Sequence, residues 1–306
     1  MLKTLFNSVL SLFLLFNLSC QKDRTILPDL GIVASNDPQD AGGGAYSYVY
    51  KPLQERPIKV WYFSPHDNPK DAKVVFVMHG VNRNASTYRN NWVNLARDNG
   101  WLLVVPEFSN ENYPGSRYYN VGNLMSGSGG TSGSLNGEEL WTFSTVEGIF
   151  DDIVQKIDGN QEFYNIYGHS AGAQFVHRMM TFKEKLRVNK AISANAGWYT
   201  LVDPSTTYPY GVSNTGISDA QIESFLASDM VVLLGEDDVL SDDNLNTDPS
   251  AMQQGEHRFE RGNFYYNYHK ELAKERGLSF GWTLETVPGV GHSNRSMAPF
   301  AAEFLR

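Results

Sequence analysis

Tyr164-Asn165-Ile166-Tyr167-Gly168-His169-Ser170-Ala171-Gly172 runs from an apolar, aromatic-rich segment into Gly-x-Ser-x-Gly. A helical pattern follows at once, in Ala173-Gln174-Phe175-Val176-His177-Arg178-Met179-Met180. Strand, sharp turn and helix in that order push the Ser170 hydroxyl into the open, and glycines two residues to either side let the strand and helix pass closely. The simpler alternative is a glycine-rich turn with a solvated serine, so the weight of the motif rests on what the rest of the chain supplies.

Outward from this stretch, strands and helices alternate. Lys73-Val74-Val75-Phe76-Val77-Met78 is a continuous apolar run, as expected of a strand buried on both faces, and it ends in His79-Gly80. Thr87 to Asn99 has helical spacing through Tyr88, Trp92, Leu95 and Ala96, with Asn99-Gly100 as a stop. Strands are expected at 101–105, 190–196, 230–234 and 280–287, and helices at 218–227 and 258–276. Ser144-Thr145-Val146-Glu147 has the form of a capping box ahead of an apolar stripe through Val146, Ile149, Phe150, Ile153, Val154 and Ile157. Before all of these, Tyr46 to Tyr50 and Ile58 to Phe63 suggest an antiparallel pair. The alternation from residue 73 onward implies an α/β fold with a mostly parallel central sheet and helices on both faces. Residues 109–140, rich in Gly, Ser and Asn, are either a loose surface insertion or a rim over the site.

A serine hydroxyl becomes a nucleophile when a base takes its proton, and that base needs a carboxylate to hold its tautomer. Among the seven histidines, His292 is the candidate base, because Gly289-Val290-Gly291-His292 follows the last expected strand on a flexible loop. His79 and His169 are expected to be structural, His177 lies on the helix after the turn, and His66, His257 and His269 read as solvated. For the acid, Asp238 competes with Asp237 after the strand ending in Gly235. Asp238 is preferred, since the carboxylate most often lies three residues past such a glycine. The order Ser170, Asp238, His292 is that of the α/β-hydrolase fold. Donors for a developing oxyanion would be the backbone N–H of Ala171 and that of Val81, preferred over Asn82. Tyr113, Tyr118, Tyr119, Trp198 and Tyr199 are candidates for an aromatic cleft, with Tyr118, Trp198, Tyr199 and Asn82 taken as substrate-binding residues. Arg117 and Arg295 either meet a substrate carboxylate or stay solvated, and solvation is the simpler reading.

His79-Gly80-Val81-Asn82-Arg83-Asn84-Ala85, the Gly-His-Ser-Ala-Gly turn, Ala196-Gly197-Trp198 and Gly291-His292-Ser293 resemble the corresponding segments of the poly(3-hydroxybutyrate) depolymerase and feruloyl-esterase-like α/β-hydrolases. The likeness covers about residues 70–303. It implies the fold, a serine-esterase mechanism on an extracellular ester, and Ser170, Asp238 and His292 as the matching triad. Val81 stands where those enzymes often carry Cys, and the single cysteine of the chain allows none of their disulfides.

With a net charge of −9 and 41% hydrophobic residues, the chain can bury one large core. It shows no cluster of Lys and Arg for nucleic acid. Lys3 and the apolar stretch Leu5 to Leu18 form a targeting segment too short to span a bilayer, ending at Cys20. Residues 1–19 read as a lipoprotein-type signal peptide, with Cys20 as the lipidated residue and a membrane anchor. An ordinary secretory signal is the alternative. Residues 20–45 are expected to be a flexible stalk, and 46–306 a single catalytic domain, monomeric and extracytoplasmic, at an outer membrane or cell surface. The expected partner is a small-molecule or polymeric ester, with no cofactor or metal required. A serine peptidase with the same triad and a non-catalytic glycan-binding lipoprotein are the competing functions.

Overall fold

The apolar runs of the sequence become the strands of one sheet, because an extended chain points successive side chains to opposite faces. In the computed structural model, which describes residues 26–27 and 32–306, Val74, Phe76 and Met78 pack into one apolar layer and Val75 and Val77 into the other. All five are completely buried, each contributing about 1.5–3 kcal/mol of transfer free energy. A strand buried on both sides cannot lie at an edge, and this one sits mid-sheet.

The elements in chain order are β1 (Ile26–Leu27), β2 (Ile32–Val33), β3 (Gly42–Tyr48), β4 (Ile58–Ser64), β5 (Val74–Met78), α1 (Ala85–Asn99), β6 (Leu102–Glu107), α2 (Ser144–Lys156), β7 (Tyr164–His169), α3 (Ala171–Phe182) and β8 (Val188–Ala194). There follow α4 (Asp219–Ala227), β9 (Met230–Gly235), α5 (Pro249–Met252), α6 (Arg258–Arg276), β10 (Thr283–Val287) and α7 (Asn294–Glu303). The main sheet has eight strands in the order β10-β9-β8-β7-β5-β6-β4-β3. The six from β10 to β6 run parallel, and β4 and β3 are added antiparallel. Helices α1 and α7 cover one face, and α2, α3, α4 and α6 the other. This is the α/β-hydrolase architecture.

Several expectations need correction. The segment 41–45 is no stalk. Gly42–Tyr48 pairs with β4 across its whole length, and Ile32 is already fully buried, so the folded domain begins by Ile32 rather than at Tyr46. A Cβ on Gly44 would lie 2.1 Å from the Ser35 carbonyl oxygen and 2.6 Å from the Tyr62 hydroxyl. The glycines therefore mark close approach to neighbouring chain rather than looseness. Residues 1–19 and Cys20 lie outside the described residues.

The Ser144 box does not form. Phe143 occupies the N-cap of α2 without a side-chain cap. Glu147 is drawn off to Arg187, with Nε at 2.6 Å, and to the Tyr164 hydroxyl at 2.7 Å. By contrast, Ser218 and Gln221 make a complete capping box on α4. Residues 109–140 are not loose: Tyr113, Tyr119, Val121, Leu124 and Met125 are in the core. His269 is fully buried rather than solvated, accepting from the Val202 N–H at 3.2 Å, and desolvation pushes its pKa down to about 3. Helix α7 had no sequence expectation, since Pro299 interrupts its pattern. Among the described residues no helix is long and apolar enough to cross a membrane.

Candidate active site

The turn at Ser170 forms as its glycines require. Ser170 takes φ 59° and ψ −117° between β7 and α3, a strained region for a residue with a side chain. A Cβ on Gly168 would meet the Gly172 carbonyl oxygen at 2.2 Å, and one on Gly172 would meet the Met78 carbonyl oxygen at 2.2 Å. The first glycine thus lets helix pack on strand, and the second lets the helix pass the end of β5. Gly277-Leu278-Ser279-Phe280-Gly281 repeats the pattern, but it follows helix α6 and leads into β10, so it forms no strand-to-helix turn.

Three segments far apart in sequence meet at Ser170. His292 Nε2 lies 3.0 Å from Ser170 Oγ, and His292 Nδ1 lies 2.7 Å from Asp238 Oδ2. Of the two competing acids, Asp237 is exposed, whereas Asp238 is 2% exposed and faces the imidazole. The loops that carry them are tied together. Asn195, at the end of β8, accepts from the Gly235 N–H at 2.8 Å and donates through Nδ2 to the Gly291 carbonyl at 3.3 Å. It ties the end of β9 to the loop that carries His292. Asn195 has φ 50°, a conformation that Asn adopts more readily than most residues. Sequence reading passed over it, and only its place at a strand end hinted at the role.

Arg258 was also missed. It opens α6 fully buried, with Nη1 3.6 Å from Asp238 Oδ1 and Nη2 2.8 Å from Asp242 Oδ1. The Phe259 N–H donates to the Asp238 carbonyl at 3.3 Å, so the same turn of helix holds the Asp238 backbone. Removing one partner of a buried ion pair leaves an uncompensated charge, so Arg258→Met is expected to lower stability by about 3–5 kcal/mol. The readout is a lower urea midpoint at unchanged m-value, and a midpoint equal to the parent's would mean that Asp238 is compensated by other groups.

The loop after β5 is braced from behind. His79 is fully buried, with Nε2 accepting the Phe108 N–H at 3.0 Å, which leaves Nδ1–H to donate to the Gly80 carbonyl at 3.0 Å. Burial pushes its pKa down to about 3, so it is a neutral strut. Tyr119 stacks on it and donates to the His79 carbonyl at 2.6 Å. Gly80 comes so near Ser170 that a Cβ there would lie 3.8 Å from Ser170 Cβ. His169 is buried beside His292, ring centroids 4.7 Å apart, with its Nδ1 bonded to the Tyr88 hydroxyl at 3.1 Å. Desolvation, reinforced by His292 and Arg258, holds it well below the ordinary imidazole range, so it stays neutral.

Two cavities open on Ser170. One, of about 230 Å³, is lined by Val81, Arg83, Asn120, Ala171, Gln174, Trp198 and Arg258 among others. The other, of about 300 Å³, contains His292, Val81 and Asn82. Residues 109–140 supply a wall of the first through Asn110, Gly115, Ser116 and Asn120, which makes them the rim. Trp198 holds its place between the Arg178 guanidinium, 4.1 Å from its ring, and Tyr210. The aromatic cleft expected from sequence does not form. Tyr199 is buried against Tyr265 with centroids 4.3 Å apart, Tyr113 and Tyr119 are in the core, and Tyr118 lies under Arg56 away from both cavities. Arg117 is occupied by Asn123 and the Ser126 carbonyl.

No family model and no curated protein sequence matches the chain. Solved structures do. Poly(aspartic acid) hydrolase-1 from Sphingomonas sp. KT-1 is 34% identical, with a TM-score of 0.82 over 86% of this chain and 98% of that one. A poly(3-hydroxybutyrate) depolymerase from Bordetella parapertussis is 34% identical, with a TM-score of 0.81 over 87% of this chain and 90% of that one. An S-formylglutathione hydrolase from Agrobacterium tumefaciens, 17% identical with a TM-score of 0.54 over 90% and 96% of the two chains, shares the fold. The near-complete coverage at this identity, on the architecture described above, places the chain in the α/β-hydrolase family of the poly(aspartic acid) hydrolase and the poly(3-hydroxybutyrate) depolymerase, as a hydrolase.

Proposed function

We propose that the protein is a serine hydrolase that cleaves a carboxylic ester through an acyl-enzyme on Ser170. The observation that carries this reading is the continuous contact from Ser170 Oγ to His292 Nε2 and from His292 Nδ1 to Asp238 Oδ2, at 3.0 and 2.7 Å. His292 takes the hydroxyl proton as Ser170 Oγ attacks the carbonyl carbon, and Asp238 stabilises the imidazolium. Negative charge gathers on the former carbonyl oxygen, and the N–H groups of Ala171 and Val81 are the donors assigned to it, each worth about 3 kcal/mol of barrier. His292 then gives its proton to the leaving alcohol as the C–O bond breaks. A water, deprotonated by the same imidazole, returns the enzyme and releases the acid.

Polymeric substrates are one source of such an ester, given the 34% identical depolymerase. The equally similar poly(aspartic acid) hydrolase favours a second reading, amide cleavage by the same triad, and ester against amide turnover separates the two. Lipid attachment at Cys20, and with it an extracytoplasmic site of action, belongs to the proposal on the sequence alone.

The test is covalent. A p-nitrophenyl alkylphosphonate is expected to block release of p-nitrophenol from acetyl and butyryl esters. Mass spectrometry should then find one phosphonyl group on the peptide carrying Ser170. Ester turnover that persists while Ser170 is fully modified would overturn the assignment, and absence of both turnover and labelling would favour the glycan-binding alternative.

A further inference from the structure

With Ser170 as the nucleophile proposed above, on which this assignment rests, the two cavities take different halves of the substrate. His292 must reach the leaving oxygen, so the alcohol half lies in the cavity that His292 lines, and the acyl half in the 230 Å³ cavity beside Ser170 and Ala171. Gln174, one turn of α3 beyond Ser170, forms part of the wall of that second cavity together with Gly197 and Trp198. It is 6% exposed.

Its neighbours fix which way the amide points. Arg178 Nη1 lies 3.2 Å from the amide of Gln174, and a guanidinium only donates, so the atom it meets is the oxygen, Oε1. The same oxygen accepts from Asn120 Nδ2 at 2.8 Å. Turned over, the amide would set its NH₂ against the guanidinium. Nε2 is therefore left on the other side. It has no partner among the described residues and is not enclosed, so its protons face the cavity.

Gly197 keeps that group uncovered. A Cβ at Gly197 would lie 3.0 Å from Gln174 Nε2 and would meet nothing else within 4 Å. Arg178 supplies a separate argument. It is fully buried, and its bonds go to Thr200, Asn120 and Gln174, with no ion pair among the described residues. A glutamate at 174 would give it a charge-assisted partner. The glutamine forgoes that bond and presents N–H donors to the cavity.

We infer that Gln174 is a specificity-determining residue for the acyl half, its Nε2 donating to an oxygen that the acyl group carries beyond the scissile carbonyl. Acyl groups with an ether, hydroxyl or carbonyl oxygen within reach are favoured over alkyl chains of the same length, because an alkyl chain strips water from the NH₂ group and returns no acceptor.

The experiment compares p-nitrophenyl esters in two pairs of equal length, methoxyacetate with butyrate and 3-methoxypropanoate with pentanoate. An ether oxygen also activates its ester chemically, so the quantity read is the ether-to-alkyl ratio of kcat/KM in each variant relative to the parent's. Gln174→Met is expected to lower that ratio about fivefold in at least one pair, the scale of one hydrogen bond. Gln174→Glu keeps an oxygen for Arg178 and Asn120, which preserves the fold, and offers the cavity an acceptor in place of a donor. Its ratio should fall at least as far, and Gly197→Ala, which covers Nε2, should move the ratio the same way. Ratios unchanged in both Gln174 variants, with the esters still cleaved, overturn this inference and leave the hydrolase reading standing. A ratio that falls in Gln174→Met but not in Gln174→Glu traces the loss to Arg178 and Asn120 and overturns it as well. Failure of the parent to cleave any of the four esters sinks both.

Discussion

Ser170→Ala is expected to lower kcat for p-nitrophenyl esters by at least ~10³ while the protein keeps its fold, because the substitution removes the attacking oxygen and little else. Ala accepts the same φ of 59° no better than Ser, so the turn remains as strained as before and its glycines still fit. The Ser170 N–H continues to donate to the Ala194 carbonyl at 3.0 Å. Thermal unfolding should therefore change little. The cavities on either side of the residue are unaltered, so substrate still binds, and the loss appears in kcat and in the burst of p-nitrophenol rather than in KM. Parent and variant turning over at equal rates would take Ser170 out of the chemistry.

Asp238→Asn should cost about 10³–10⁴ in kcat, the scale seen when the acid of such a triad is made neutral. Its amide would donate to His292 Nδ1 rather than accept from it, which favours the tautomer with the proton on Nε2, where the Ser170 hydroxyl needs an acceptor. The imidazolium also loses its counter-charge. A further effect is specific to this chain. Arg258, fully buried and 3.6 Å from Asp238 Oδ1, keeps Asp242 but loses its buried partner, so stability falls along with rate. Asp237→Asn is the control, since that side chain is exposed and its backbone N–H, bound to the Val290 carbonyl, is untouched. Its kcat should stay within about twofold of the parent's, as for a surface substitution. The reverse pattern, a large loss for Asp237→Asn and none for Asp238→Asn, would move the acid's role to Asp237 and overturn the assignment to Asp238.

The backbone plan was legible in the sequence because period and punctuation are local. Val74 to Met78 reads as a doubly buried strand without any knowledge of its neighbours, and α6 was expected at Arg258 to Arg276, where the structure has it. The Gly-x-Ser-x-Gly turn, the histidine after the last strand and the acid after β9 were likewise readable, since each needs only a strand end and a residue type. What each residue touches through space was not. A tyrosine suits a cleft and a core equally by composition. Tyr118 and Tyr199 were placed in the cleft on that basis, but packing put Tyr199 on Tyr265 and Tyr118 under Arg56. Glycines 42–44 read as slack until β4 lay alongside them, and His269 read as solvated until Phe225 and Trp282 closed over it.

The sequence by itself determined the order of strands and helices, the Gly-x-Ser-x-Gly turn and the candidacy of His292, because local steric and hydrophobic rules act along the chain. Spacing past Gly235 already favoured Asp238 over Asp237, and tertiary structure added that Asp238 is the one buried against His292; it alone supplied the Asn195 and Arg258 supports and the polar, cation-lined character of the cavities. Those depend on groups scores of residues apart arriving at one sheet edge, where burial and distance rather than spacing set what each charge and hydrogen bond is worth.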